Sequence, residues 1–432
     1  MGNLSVLSGA PTLVLIYFVN LFLTNFGLNL YPAFGLFMVY GIYYIFSTLS
    51  AGNGLNKRNR NIFLLHLGIL FYAFFVFYLF ELGFISRPSQ SWWSLTSLAK
   101  FASIIVASIA VIITPIDKII RSIKIIKNFS YLMIFGSIWF YMTTPLGLNF
   151  FSSDELAGYR YNGGINSYII AGQILIAGFI SHALLNKKDN AFRLFIAAIC
   201  FGFAVFSTKD RTSIGSMLII FTILLYRSGF GISPFIFQLR KSAVLLLLAP
   251  ISMVFIFSQA QNVTAGELGA YKSAFHRLAI SIRSYQLFTE VFPIGGGPGS
   301  QTFLMNENEI NAEFMELETG DEENIQSMIT REIESFQINV GTGEKLSPHN
   351  TYVDFLVPFG LMGLFFVLCI LRAQLKSLKR ILFDRYNTSI ILDSFAVSAF
   401  LFLMFSSLFN LWWFYMIFYR LSLSKSYRFQ QG

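Results

Sequence analysis

Between Ala274 and Gly363 this sequence gathers cations, an imidazole and flexible backbone. Arg277 and Arg283 precede Pro293-Ile294-Gly295-Gly296-Gly297-Pro298-Gly299-Ser300, and an acidic run then leads to Ser347-Pro348-His349-Asn350-Thr351-Tyr352. Guanidinium groups hold phosphates through paired, charge-assisted hydrogen bonds. A glycine-rich turn lets the backbone approach a ligand closely and aim N–H groups at an anion, the use expected here of Gly295, Gly296 and Gly297. His349 brings an imidazole whose ordinary pKa suits a general base near neutral pH. Pro348 ahead of it predicts a helix start, with the imidazole at the membrane boundary.

Two further arginines stand in short polar segments between apolar runs. Arg211 lies in Ser207-Thr208-Lys209-Asp210-Arg211-Thr212-Ser213, and Arg160 precedes Tyr161-Asn162-Gly163-Gly164. A charge held at the edge of a membrane is costly unless it is paired or serves a purpose. For Arg211 the plain alternative is an ion pair in which Asp210 meets Lys209 or Arg211 and closes a tight turn. For Arg160 it is an interfacial anchor. The sequence holds no H-E-x-x-H, phosphate-loop, G-x-S-x-G or dinucleotide motif, so zinc, nucleotide and serine-hydrolase chemistry are not expected and no metal or cofactor is assigned. His66 and His182 fall inside apolar runs and are expected to bond to neighbouring helices.

These residues sit in a chain that water would not keep dissolved. It is 55% hydrophobic with 50 Phe and only 12% charged residues, which predicts an all-α polytopic membrane protein. The net charge of +9 does not point to nucleic acid, because the basic residues cluster in short segments between apolar runs, where the positive-inside rule accounts for them. Cys200 and Cys369 lie within apolar runs and read as small buried hydrophobes rather than a disulfide.

Runs near the ~20 residues needed to cross a bilayer occur at Pro11–Leu28, Pro32–Leu49, Ile62–Phe80, Leu95–Thr114, Phe129–Pro145 and Ser167–Leu185. They continue at Phe192–Ser207, Thr212–Tyr226, Ser242–Ser258, Thr351–Leu371, Ile390–Ser407 and Leu411–Leu421. This predicts about twelve transmembrane helices: nine in residues 1–258, a large outer loop at 259–348, and three more with a cytoplasmic tail in 349–432. A cytoplasmic N-terminus puts the basic segments Lys57 to Arg60, Lys118 to Lys127, Lys187-Lys188, Arg240-Lys241 and Arg372 to Arg385 in cytoplasmic loops. The large loop holds 13 of the 22 carboxylates. Ten lie between Glu307 and Glu334, against the single base Arg331, which reads as a solvated lid. Residues 270–292 carry Phe275, Leu278, Ile282, Tyr285 and Phe292 at helical spacing. They predict an amphipathic helix on the membrane face, whose arginines would equally meet lipid phosphates.

At these residues the chain resembles the O-antigen polymerase and O-antigen ligase superfamily of bacterial envelope polysaccharide assembly. The resemblance rests on the span count, the late outer loop, Pro293-Ile294-Gly295-Gly296-Gly297, and the stretch from His349-Asn350-Thr351-Tyr352 through Pro358-Phe359-Gly360-Leu361-Met362-Gly363, similar to that family's H-N-x-x-L-x-x-x-x-x-G-x-x-G. Arg160 with Asn162-Gly163-Gly164, and Arg211-Thr212-Ser213, are similar to its shorter motifs. The resemblance implies a glycosyltransferase in the bacterial inner membrane. It would act at the periplasmic face on undecaprenyl-diphosphate-linked oligosaccharide donor and acceptor, beside a chain-length regulator. Arg211, Arg277 and Arg283 would then hold the diphosphate, Arg160 would add a phosphate contact, and His349 would take the acceptor proton. Polymerase is the expected activity. A ligase delivering glycan to lipid A-core, or a flippase for the lipid-linked oligosaccharide, stands as the alternative.

Overall fold

The computed structural model describes residues 8–23, 31–51, 57–84, 94–143, 168–186, 191–208, 210–227, 288–300, 303–305, 344–346, 351–383, 390–405 and 411–422. Their helices are α1 (Ala10–Leu23), α2 (Tyr31–Ser50), α3 (Lys57–Glu81), α4 (Ser94–Ile113), α5 (Ile116–Thr143), α6 (Tyr168–Leu185), α7 (Ala191–Ser207) and α8 (Arg211–Arg227). After them come strands β1 (Phe303–Met305) and β2 (Glu344–Leu346), then α9 (Thr351–Phe383), α10 (Ile390–Phe405) and α11 (Trp412–Ser422). Apolar runs of this length become helices in lipid because a helix satisfies its own backbone groups where no water can.

The inner layer consists of segments buried on every side. In α4 each residue from Phe101 to Ile113 is buried, as is each residue of α6 from Ala171 to Leu184 and of α11 from Trp412 to Phe418. Around α4 pack α2, α3 and α11; α6 packs on α5 and α7, and α10 joins α8 to α9. The outer faces are as apolar as the inside. Val39, Tyr43 and Phe46 on α2, Phe71 and Tyr78 on α3, and Phe135, Trp139 and Met142 on α5 are all exposed. A continuous belt of that kind is a lipid-facing surface rather than a water-facing one. Among the described residues four helices, α2, α3, α4 and α9, are long and apolar enough to cross a membrane. The protein is a helical membrane protein.

Basic residues gather at one end of this bundle. Ala10 N–H at the start of α1 donates to Thr114 Oγ1 (3.2 Å), just beyond α4, and Arg420 near the end of α11 donates to the Ile112 carbonyl (3.0 Å) in the last turn of α4. Lys118, in the first turns of α5, bonds to Ser8. At the opposite end lie the start of α4 and residues 293–300, where Gly299 comes up against Ser97.

Several boundaries differ from those predicted. The basic stretches Lys57 to Arg60 and Lys118 to Lys127 are not loops, since they form the first turns of α3 and α5, and Arg372 to Arg380 likewise continue α9. Isoleucines between the cations carry α5 through: Ile119, Ile123 and Ile126 are buried, while Lys124 is exposed and Lys118, Arg121 and Lys127 are half-buried. The described fold is all-α as predicted, apart from one short antiparallel pair in which β1 and β2 set Phe303 opposite Leu346. Within the predicted final span, α11 has 11 described helical residues, about 16 Å of helix, and it plugs the bundle, buried from Trp412 to Phe418. The expected ninth span at Ser242–Ser258, the acidic run and most of the amphipathic helix fall outside the described residues; of that helix, only a turn ending at Val291 is described.

Candidate functional site

Helix α9 does not run straight. Pro358 lies within it, and Gly360 adopts φ 50°, ψ −123°. Proline has no N–H and its ring collides with the carbonyl four residues back; a glycine two positions later supplies a conformation that a side chain would disfavour. The chain therefore folds back on itself into two arms, 351–359 and 361–383. The Phe355 and Phe366 rings lie 4.6 Å apart across the hairpin, and Tyr352 Oη donates to Gln374 Oε1 at 2.9 Å. A Cβ on Gly363 would stand 1.9 Å from the Phe355 carbonyl oxygen, so the arms touch backbone to backbone.

Breaking a helix inside an apolar bundle strands polar groups, and each one left unsatisfied costs several kcal/mol. Residues 293–297 make up the loss. In an unbroken helix Leu361 N–H would donate to the Val357 carbonyl. Here it donates to Pro293 O (2.8 Å), and the Val357 and Pro358 carbonyls accept from Gly296 N–H and Gly297 N–H, both at 2.9 Å. Gly295 N–H turns back to Val291 O at 2.7 Å, and Tyr72 Oη on α3 donates to Ile294 O at 2.8 Å. This close approach excludes side chains, since a Cβ on Gly295 would lie 2.4 Å from Pro358 O and one on Gly360 would lie 2.2 Å from Pro293 O. The expectation that Gly295, Gly296 and Gly297 aim their N–H groups at an anion is thereby corrected. All three amides are committed to protein carbonyls, and the glycines mend a broken helix.

The hairpin also revises where α9 begins. Thr351 was expected to open a span at the membrane boundary, but it is buried and lies on an arm whose next residue meets Gln374, well along the second arm. Asp354 on that arm is 3% exposed. His349, two residues ahead of Thr351 in sequence, lies outside the described residues, as do Arg160, Arg277 and Arg283.

Arg211 is described through its backbone alone, as the first residue of α8. The turn before it carries a cap at Asp210; the ion pair considered from sequence involves side chains outside the described residues. Asp210 Oδ2 accepts from Ser213 N–H at 3.0 Å and from the Ser213 hydroxyl, while Asp210 N–H donates to Thr208 Oγ1 at 3.2 Å. A side-chain oxygen on the N–H three residues ahead is the N-cap interaction. Sequence reasoning had Asp210 and Ser213 in view without assigning this role, although the D-x-x-S spacing was readable.

Helix α10 links the start of α8 to the hairpin. Ser216 Oγ donates to Ser398 O at 3.3 Å, and the Tyr352 ring lies 6.2 Å from that of Phe400. The segments that follow Arg211 and His349 thus meet the same stretch of α10. The histidines within spans behave as expected. His66 donates from Nδ1 to Ile62 O (2.9 Å) and accepts from Trp412 Nε1–H at Nε2 (3.1 Å), which fixes its tautomer. His182 meets the Tyr131 hydroxyl of α5. Among the described residues, no three metal-ligating side chains gather in one place. No protein-family model matches this chain, and neither does any curated protein or solved structure.

Proposed function

We propose that this protein is a glycosyltransferase of the O-antigen polymerase type. It transfers undecaprenyl-diphosphate-linked glycan onto a second lipid-linked repeat unit at the periplasmic face of the bacterial inner membrane. On this reading the chain crosses the membrane about twelve times, the basic end of the bundle faces the cytoplasm, and the end holding residues 293–300 faces the periplasm.

The observation that carries the reading is the junction at Gly360. The two segments on which the family resemblance rests, Pro293 to Gly297 and the run from His349 to Gly363, are far apart in sequence, yet three backbone hydrogen bonds join Pro293 to Gly297 with the Val357 to Leu361 end of the second. Joining the glycine ends of the two motifs supports a common site.

In the proposed step an acceptor sugar hydroxyl attacks the anomeric carbon of the donor glycan. The carbon–oxygen bond to the diphosphate breaks and its electron pair leaves with that diphosphate. His349 takes the hydroxyl proton. Arg211, with Arg277, Arg283 and Arg160, neutralises the charge gathering on the phosphates through paired hydrogen bonds. The leaving group is already a stabilised anion, so the step calls on no metal.

The test is transfer by the purified protein in detergent, with lipid-linked repeat unit as both donor and acceptor. His349→Ala and Arg211→Ala are each expected to lower the rate by at least about a hundredfold while the protein elutes unchanged on size exclusion. Undiminished elongation by both variants would overturn the assignment. Transfer to lipid A-core in place of a second repeat would make the protein a ligase, and absence of transfer beside leaflet-to-leaflet movement of the intact lipid in proteoliposomes would make it a flippase.

A further inference from the structure

At the basic end of the bundle, far from the glycine junction, the second arm of α9 closes over a cavity of about 680 Å³ together with the first turns of α3, with α10 and with α11. Three cations on that arm line it at a spacing of one helical turn: Arg372, Lys376 and Arg380. The wall contains one carboxylate, Asp393, and Arg380 occupies it with both Nε (2.9 Å) and Nη2 while also donating to Ser377 Oγ at 3.0 Å. Arg372 and Lys376 are exposed at the mouth. The deeper wall is apolar or internally satisfied. Phe366, Leu392, Phe395 and Trp412 line it, and His66, also on the wall, has both ring nitrogens engaged.

We propose that this cavity is a binding site for one anionic phospholipid of the cytoplasmic leaflet, with its phosphate diester between Arg372 and Lys376 and its acyl chains running down the apolar wall. Three features favour that occupant. Three cations against one carboxylate leave the wall with two net positive charges, which attracts a phosphate diester and gives a zwitterionic headgroup no advantage. The same arm exposes Leu368 and Leu375 to the lipid belt, so a lipid reaches Arg372 and Lys376 from the bilayer. Residues 423–432 carry Lys425 and Arg428 and no acidic side chain, so those side chains oppose entry of this segment. The volume falls in the range of small-molecule pockets, about 300–1,000 Å³, which suits a headgroup with the upper part of its chains.

The experiment uses the full-length protein delipidated in a neutral detergent, with retained lipid counted by native mass spectrometry. Phosphatidylglycerol is expected to be retained in preference to phosphatidylcholine, with one tightly held copy per protein. Replacing both mouth cations, Arg372→Gln with Lys376→Gln, is expected to weaken that retention about 25-fold, about fivefold per cation removed. Lys379→Gln, an exposed neighbour that does not line the cavity, is expected to leave it unchanged. Alkylation of Cys369, which lies on the cavity wall, gives an independent readout on a protein whose mouth is intact. In a Cys200→Ala background, phosphatidylglycerol should slow maleimide labelling at least fivefold, and inorganic phosphate should not. Equal retention of the two lipids, no loss in the double variant, or protection by inorganic phosphate alone would each overturn the proposal.

Discussion

Gly363 shows how little room a single residue can have. A Cβ there would meet the Phe355 carbonyl oxygen at 1.9 Å and the Phe355 carbonyl carbon at 2.7 Å. Both are backbone atoms and neither can swing aside, unlike the end of a flexible side chain. Gly363→Ala is therefore expected to lower stability by at least about 1–3 kcal/mol, the usual cost of forcing atoms into a packed interior, read as a drop in thermal unfolding temperature in detergent. Gly68 on α3 is the matched control, since nothing lies within 4 Å of the Cβ it would carry. Gly68→Ala should be neutral or should stabilise by up to about 1 kcal/mol, because alanine is the better helix former. Equal losses at both positions would mean that the arms do not touch as described.

The hairpin and its neighbour are locked together at the level of the element. Asp393 in the first turn of α10 is 1% exposed and is held by Arg380 from the second arm of α9. A buried carboxylate deprived of its guanidinium keeps its desolvation cost and loses the compensating charge. Arg380→Met alone is expected to cost about 3 kcal/mol, and Arg380→Met with Asp393→Leu should recover most of it. A thermal-unfolding double-mutant cycle measures this directly, and strictly additive losses would show that the two helices are held by something else. The same logic governs the break at Gly360. There too the protein accepts a costly arrangement only because a partner segment, residues 293–297, supplies the missing hydrogen bonds.

On the scale of the whole molecule, α11 is the piece without which the bundle has no centre. Trp413 is fully buried, 5.4 Å from the Tyr17 ring and 5.0 Å from that of Phe37, so one side chain joins α11 to α1 and α2. Arg420 then ties the helix to the last turn of α4. Trp413→Ala is expected to cost about 3–5 kcal/mol. A chain ending at Phe405 is expected to lose its single symmetrical peak in fluorescence-detected size exclusion; if that peak survives, α11 is an accessory and not a plug.

Much of this protein was legible in its sequence. Membrane-length apolar runs determine helices because lipid leaves the backbone no other partner, and α2, α3, α4, α6, α7 and α8 begin and end within a few residues of where those runs predict. The segregation of Lys and Arg from the apolar runs marked the basic end of the bundle in the same local way. What composition and periodicity left undecided were features that depend on a distant partner. Pro358 and Gly360 announce a break, but only the docking of residues 293–297 makes a reversal affordable there, and it turns glycines that read as an anion cradle into hydrogen-bond replacements. Arg372, Lys376 and Arg380 read from sequence as part of a cytoplasmic loop; the folded chain makes them one stripe of α9, and the cavity they line exists only because α3, α10 and α11 arrive around it. A backbone hydrogen bond or a packed ring is satisfied by whichever group comes within reach, and which groups do so is decided by the folded chain.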